Sequence, residues 1–79
     1  IIIYPFFKKI IDAATGKIMT VYKVDEYTIT KVVCGDDYHP SIQVFENNID
    51  TLSIVYWNTQ EATKREYMTY LRQVKESVG

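Results

Sequence analysis

Seventy-nine residues with a formal net charge of −1 leave room for one domain, and supply neither the positive field that holds nucleic acid nor the dense negative charge of a nucleic-acid mimic. With 47% apolar and 24% charged residues, the chain is composed like a folded protein and unlike a disordered one. A single cysteine, Cys34, excludes an internal disulfide framework and points to the reducing cytoplasm, and no apolar run nears the roughly 18–20 residues of a membrane span.

Ile1–Tyr4 is extended and apolar, too short and without the basic flank of a signal peptide, and Pro5 holds Tyr4 out of the helical region. Residues 6–17 admit two readings. As a helix, Phe6, Phe7, Ile10, Ile11 and Ala14 share a face and Gly16 closes it. As a hairpin, Asp12 to Lys17 is a turn ending in a left-handed glycine, and the doubled Phe, Lys and Ile pairs require a bulge. Continuous apolar, β-branched residues on both sides of the turn favour the hairpin. Ile18–Val24 and Tyr27–Val33 follow as strands, the second with threonines alternating against Tyr27 and Ile29. The loop Cys34–Ser41 stops pairing, Ile42–Glu46 is a short strand, and Asn47–Asp50 is a turn. Thr51–Trp57 (TLSIVYW) reads as the strongest strand of all.

The last segment, Asn58–Val78, has one clear period. Asn58 is placed to cap a helix, with Glu61 as its capping-box carboxylate and Gly79 as its stop. Tyr67, Leu71, Val74 and Val78 form one stripe, flanked by Met68 and Tyr70. Glu61/Arg65 and Arg72/Glu76 are spaced as i,i+4 ion pairs on the far side. The expected fold is therefore a single α+β domain: a four- or five-stranded, mainly antiparallel sheet, open or closed into a barrel, with one C-terminal helix packed on it, Leu71 at the stripe's centre.

Chemistry is sparse. Cys34-Gly35-Asp36-Asp37-Tyr38-His39 brings a thiol, two carboxylates and the one imidazole into a single loop. A structural zinc site needs four N or S ligands, and no second Cys or His exists; a nucleophile would need an orienting group that cannot be named. The loop reads as structural, with aspartates accepting its backbone N–H bonds and Cys34 packed at a strand end. Asp25/Glu26 is likewise a turn pair, and three glycines cannot write a phosphate-binding pattern. No enzyme activity, metal or cofactor is expected.

Apolar surplus is the stronger signal. With 51–57 extended, Leu52, Ile54 and Tyr56 face one way and Val55 and Trp57 the other, and Phe45 opposes Ile42 and Val44. One helix covers one face. Phe45, Val55 and Trp57 are thus the expected anchors of a protein-interaction module (an adaptor, subunit or inhibitor) that binds a partner protein or itself through its sheet. Abundant Ile, Lys, Tyr and Asn is what AT-rich coding produces and suits a phage or mobile-element effector. The alternative is a single-stranded nucleic-acid binder using Lys8, Lys9, Lys17, Lys23 and Lys31, interleaved with Phe6, Phe7, Tyr22 and Tyr27.

Overall fold

The computed structural model describes residues 2–36 and 38–78, with the backbone alone at Val78. Ile1, Asp37, Gly79 and the Val78 side chain lie outside them, and with them the second loop aspartate, the Gly79 stop and the last residue of the helix stripe.

Four strands form a meander: β1 (Phe6–Ile11), β2 (Ile18–Val24), β3 (Thr28–Val33) and β4 (Ser41–Glu46), each antiparallel to the next. Residues 6–17 are the hairpin. Gly16, at φ +73°, donates its N–H to the Asp12 carbonyl (2.7 Å), and Asp12 Oδ1 accepts from Ala14 N–H (2.9 Å). The register slips between Ile10 and Ile11, but the Phe6-Phe7 pair runs through without a bulge, since each ring has a covered sheet face of its own.

The segment read as the strongest strand is a helix. Residues Ile49–Asn58 form α1, capped by Asn48, whose Oδ1 accepts from Thr51 N–H (2.9 Å) and from the Thr51 hydroxyl (3.0 Å). Asp50 adds its charge to the first turn. At the far end the Asn58 amide donates to the Ile54 carbonyl and the Thr59 hydroxyl to that of Val55, satisfying two of the last carbonyls. β-branched and aromatic residues disfavour a helix by only a few tenths of a kcal/mol each. Tertiary burial overrides that. As a helix, the segment lays Leu52 and Val55 on Tyr22, Val24 and Ile29; as a strand it would leave that sheet face bare.

Asn58 therefore ends a helix and does not cap one. Gln60–Glu61 form a two-residue strand, β5, beside Lys9 and Lys8 of β1, and Ala62 N–H donates to the Phe7 carbonyl (3.0 Å). The sheet order is β4-β3-β2-β1-β5, open and antiparallel throughout. The second helix, α2 (Lys64–Val78), starts six residues later than its expected cap. Its capping box is Thr63 and Glu66: Glu66 N–H donates to Thr63 Oγ1 and Thr63 N–H to Glu66 Oε1, each 3.0 Å. Glu61 sits in β5, so the expected Glu61/Arg65 helix pair does not form within one element.

Each sheet face has its own helix. Phe7, Val21, Val32 and Ile42 pack with Tyr67, Tyr70, Leu71 and Val74 of α2. Tyr22, Val24, Ile29, Phe6 and Ile10 pack with Leu52 and Val55 of α1, joined by Tyr4. Tyr67 and Val74 are the buried centre of the α2 stripe, while Leu71 is only half-buried on its flank. The architecture is thus three-layered, helix on sheet on helix.

Candidate functional site

Because α1 is a helix, the three expected anchors separate. Val55 points into the core and is only 5% exposed. Trp57 turns outward, and Phe45, 41% exposed, lies on the edge strand β4 beside Ile29. They do not form one stripe on a sheet face, because strand parity does not apply to residues 51–57.

Helical geometry assembles a different apolar surface. α1 is apolar around most of its circumference, yet only the side carrying Leu52 and Val55 meets the sheet. Ile49, Ile54 and Trp57 project away from it, Trp57 at 79% and Ile54 at 64% exposure. Tyr56 sits between the two sides. Its ring meets Phe6 and Trp57 edge-on, with centroids 6.3 and 5.2 Å apart, and Lys8 Nζ lies 5.1 Å from its centre. Lys8 is nearly buried, its stem covered and its ammonium held over the ring. Trp57 is thus held by an aromatic chain reaching through Tyr56 and Phe6 to Tyr4. A shallow groove of ≈ 250 Å³, lined by Ile2, Leu52, Ser53, Tyr56 and Trp57, opens beside it.

The period needed to find this surface is present in the sequence, since Leu52, Val55 and Tyr56 are spaced 3 and 4 apart. Strand composition hid it. A hollow of ≈ 530 Å³ between Met68, Leu71, Arg72 and Lys75 is lined by α2 alone.

The five lysines do not converge. Lys8 and Lys31 belong to the α1 face of the sheet, Lys9 and Lys23 to the α2 face, and Lys17 to the hairpin turn. Lys9 is bound to Glu66 Oε2 at 2.8 Å, and Lys23 lies 3.8 Å from Asp25. Among the described residues, these lysines are divided between the two faces and the turn and do not line one face as a track.

The Cys34 loop is organised by its own backbone. Asp36 Oδ1 accepts from Tyr38 N–H (2.9 Å) and His39 N–H (3.0 Å), the local bonding expected of a loop aspartate. Cys34 and Gly35 both donate N–H bonds to the Met19 carbonyl, a bulge at the end of the β2–β3 ladder. The Cys34 thiol is half-buried against the α2 core, and that burial pushes its pKa up, away from the reactive thiolate. The His39 ring is exposed. Among the described residues, no three His, Cys, Asp or Glu side chains gather as metal ligands, and no helix is long and apolar enough to cross a membrane.

Compared with known protein families, with curated proteins and with solved structures, the chain matches none.

Proposed function

We propose that this domain is a small protein-interaction module, acting as an adaptor, subunit or inhibitor, that seats a partner protein on the outer side of α1. The observation that carries this reading is the exposure of Trp57 and Ile54 on a helix whose opposite side is fixed in the core. A large apolar patch left bare on a small monomer marks a binding surface, and tryptophan is a frequent interface anchor. Preorganisation supports the same reading, because an anchor already held in place loses little side-chain entropy on binding. The partner's matching chemistry is an apolar cleft wide enough for an indole. A reducing, cytoplasmic setting suits a chain whose one cysteine is a free thiol. A phage or mobile-element effector is the source that its composition suits.

Trp57→Ala tests this directly. Truncating such an anchor costs about 2 kcal/mol or more of binding, roughly thirtyfold in affinity. Because the side chain is exposed, unfolding free energy should move by no more than about 0.5 kcal/mol. Quantitative capture from a lysate, comparing wild type and variant, reads the first effect, and urea denaturation reads the second. Equal capture by the two proteins would refute the proposal.

A further inference from the structure

The sheet ends on β4, and that strand is unguarded. Edge strands in soluble proteins are usually blunted by lysine, proline, a bulge or a covering element. β4 is Ser-Ile-Gln-Val-Phe-Glu, six residues without lysine or proline, and its register with β3 runs unbroken from Ser41 to Glu46. The direction of its free backbone groups follows from the ladder. Asn47 N–H donates to the Tyr27 carbonyl, so 27/47 is a hydrogen-bonded pair, and 29/45, 31/43 and 33/41 follow at every second step. The β2–β3 ladder agrees. Asp25 N–H bonds the Thr28 carbonyl, so β2 bonds residues 28, 30 and 32, and 29, 31 and 33 turn toward β4. Ser41, Gln43 and Phe45 thus spend their N–H and C=O groups on β3, while Ile42, Val44 and Glu46 aim theirs outward.

We propose that a second copy of this chain pairs with β4, antiparallel about a two-fold axis through Val44, joining two sheets into one of ten strands. This goes beyond the α1 surface and does not depend on it. A two-fold normal to the sheet keeps the α1 face with the α1 face, so only registers in which each residue meets one of its own parity are allowed. Centring on Val44 brings Val44 against Val44, Ile42 against Glu46 and Gln43 against Phe45. All three outward residues then exchange both backbone bonds with the partner. The Glu46 carbonyl keeps its existing bond from Asn48 N–H (3.1 Å) on its other lone pair. Centring on Gln43 would pair only Ile42 with Val44 and leave Glu46 out. Glu46 is the one charged residue of the strand, and the Val44-centred register sets it opposite Ile42, away from its own copy. Val44, 64% exposed in the single chain, gains an apolar neighbour on the axis.

The test is light scattering and amide exchange on the purified chain between about 1 µM and 1 mM, the range of weak to moderate association. Wild type should pass from monomer to dimer, with exchange at Ile42, Val44 and Glu46 slowing as concentration rises. Gln43 and Phe45 should be protected throughout. Val44→Pro removes an outward N–H and leaves the bonds to β3 in place, so it should stay folded and monomeric across the range. Val44→Lys keeps the N–H but sets two ammonium groups side by side on the axis; its dimer should weaken at least tenfold in low salt and recover in high salt. A wild type monomeric at every concentration overturns the proposal, as does a dimer that both Val44 variants leave intact. A dimer abolished by Trp57→Ala and kept by Val44→Pro would move self-association to α1 and overturn it too. Loss of partner capture in Trp57→Ala with the dimer intact would leave the two surfaces separate, as proposed.

Discussion

Gly35 owes its identity to proximity and not to backbone angle. A Cβ placed there would stand 2.7 Å from the Met19 Cα and 2.6 Å from its sulfur, and although the sulfur belongs to a flexible side chain, the Cα does not. Gly35→Ala must push β2 and the loop apart, and should cost about 1–3 kcal/mol, measured as a lower urea midpoint. Glu66 does two tasks at once. It closes the Thr63 capping box and binds Lys9, and the Lys9 hydrogen bond, followed by the Thr63 N–H, holds its carboxyl below the usual range. A carboxyl depressed in the folded state contributes stability above the ordinary carboxylate pKa and loses it as pH falls through the folded value. Glu66→Gln keeps a capping oxygen and removes the titration. The variant should be less stable than wild type at neutral pH, and its denaturation midpoint should fall less steeply on acidification below about pH 4. Parallel pH profiles for the two proteins would show that this carboxylate has no role in acid sensitivity.

Among the elements, the meander and α2 were legible in the residues, and α1 was not. Strand boundaries for β2, β3 and β4 differ from the sequence reading by one residue or none, because alternation and turn residues report the same event. A bulge was expected so that the doubled pairs could keep one face inward. A register slip does occur, at Ile10/Ile11, but Phe6 and Phe7 stay on opposite faces because each face is covered by a helix. TLSIVYW failed for a physical reason: seven residues rich in β-branched and aromatic types satisfy a strand and a short buried helix alike. What decides is the opposite sheet face, which no local window contains. Asn48 was a usable sign, read as a turn where it is a cap. The candidate surface inherited the error, so Phe45 and Trp57 were found as exposed apolar residues, but their arrangement was not. Dependence of α1 on its cap is testable. Asn48→Ala removes the acceptor for two Thr51 donors and should cost about 1 kcal/mol. Amide exchange should quicken across α1 before α2, because α1 buries only Val55 against the sheet whereas α2 buries Tyr67 and Val74.

The molecule as a whole is thin for its layering: three layers built from 79 residues, with a Cα radius of gyration of 12.1 Å. A chain of this size buries only about 60% of its unfolded surface, so uncovered apolar area is a normal consequence of its length. Its distribution is the informative part, with apolar side chains bare on the outside of α1 and a six-residue open edge at β4. β5 sets the character of the second. Those two residues carry the chain from the α1 layer to the α2 layer, and on the way they lie along the middle of β1's outer edge. β5 thus shields two of the six residues of β1 and makes an edge only two residues long on that side, while β4 offers six on the other. A pair formed about a two-fold axis uses β4 of both copies at once, and a two-residue edge is a poor template for a further strand. The proposed pairing at β4 would therefore be self-limiting, a closed pair and not the seed of a fibre.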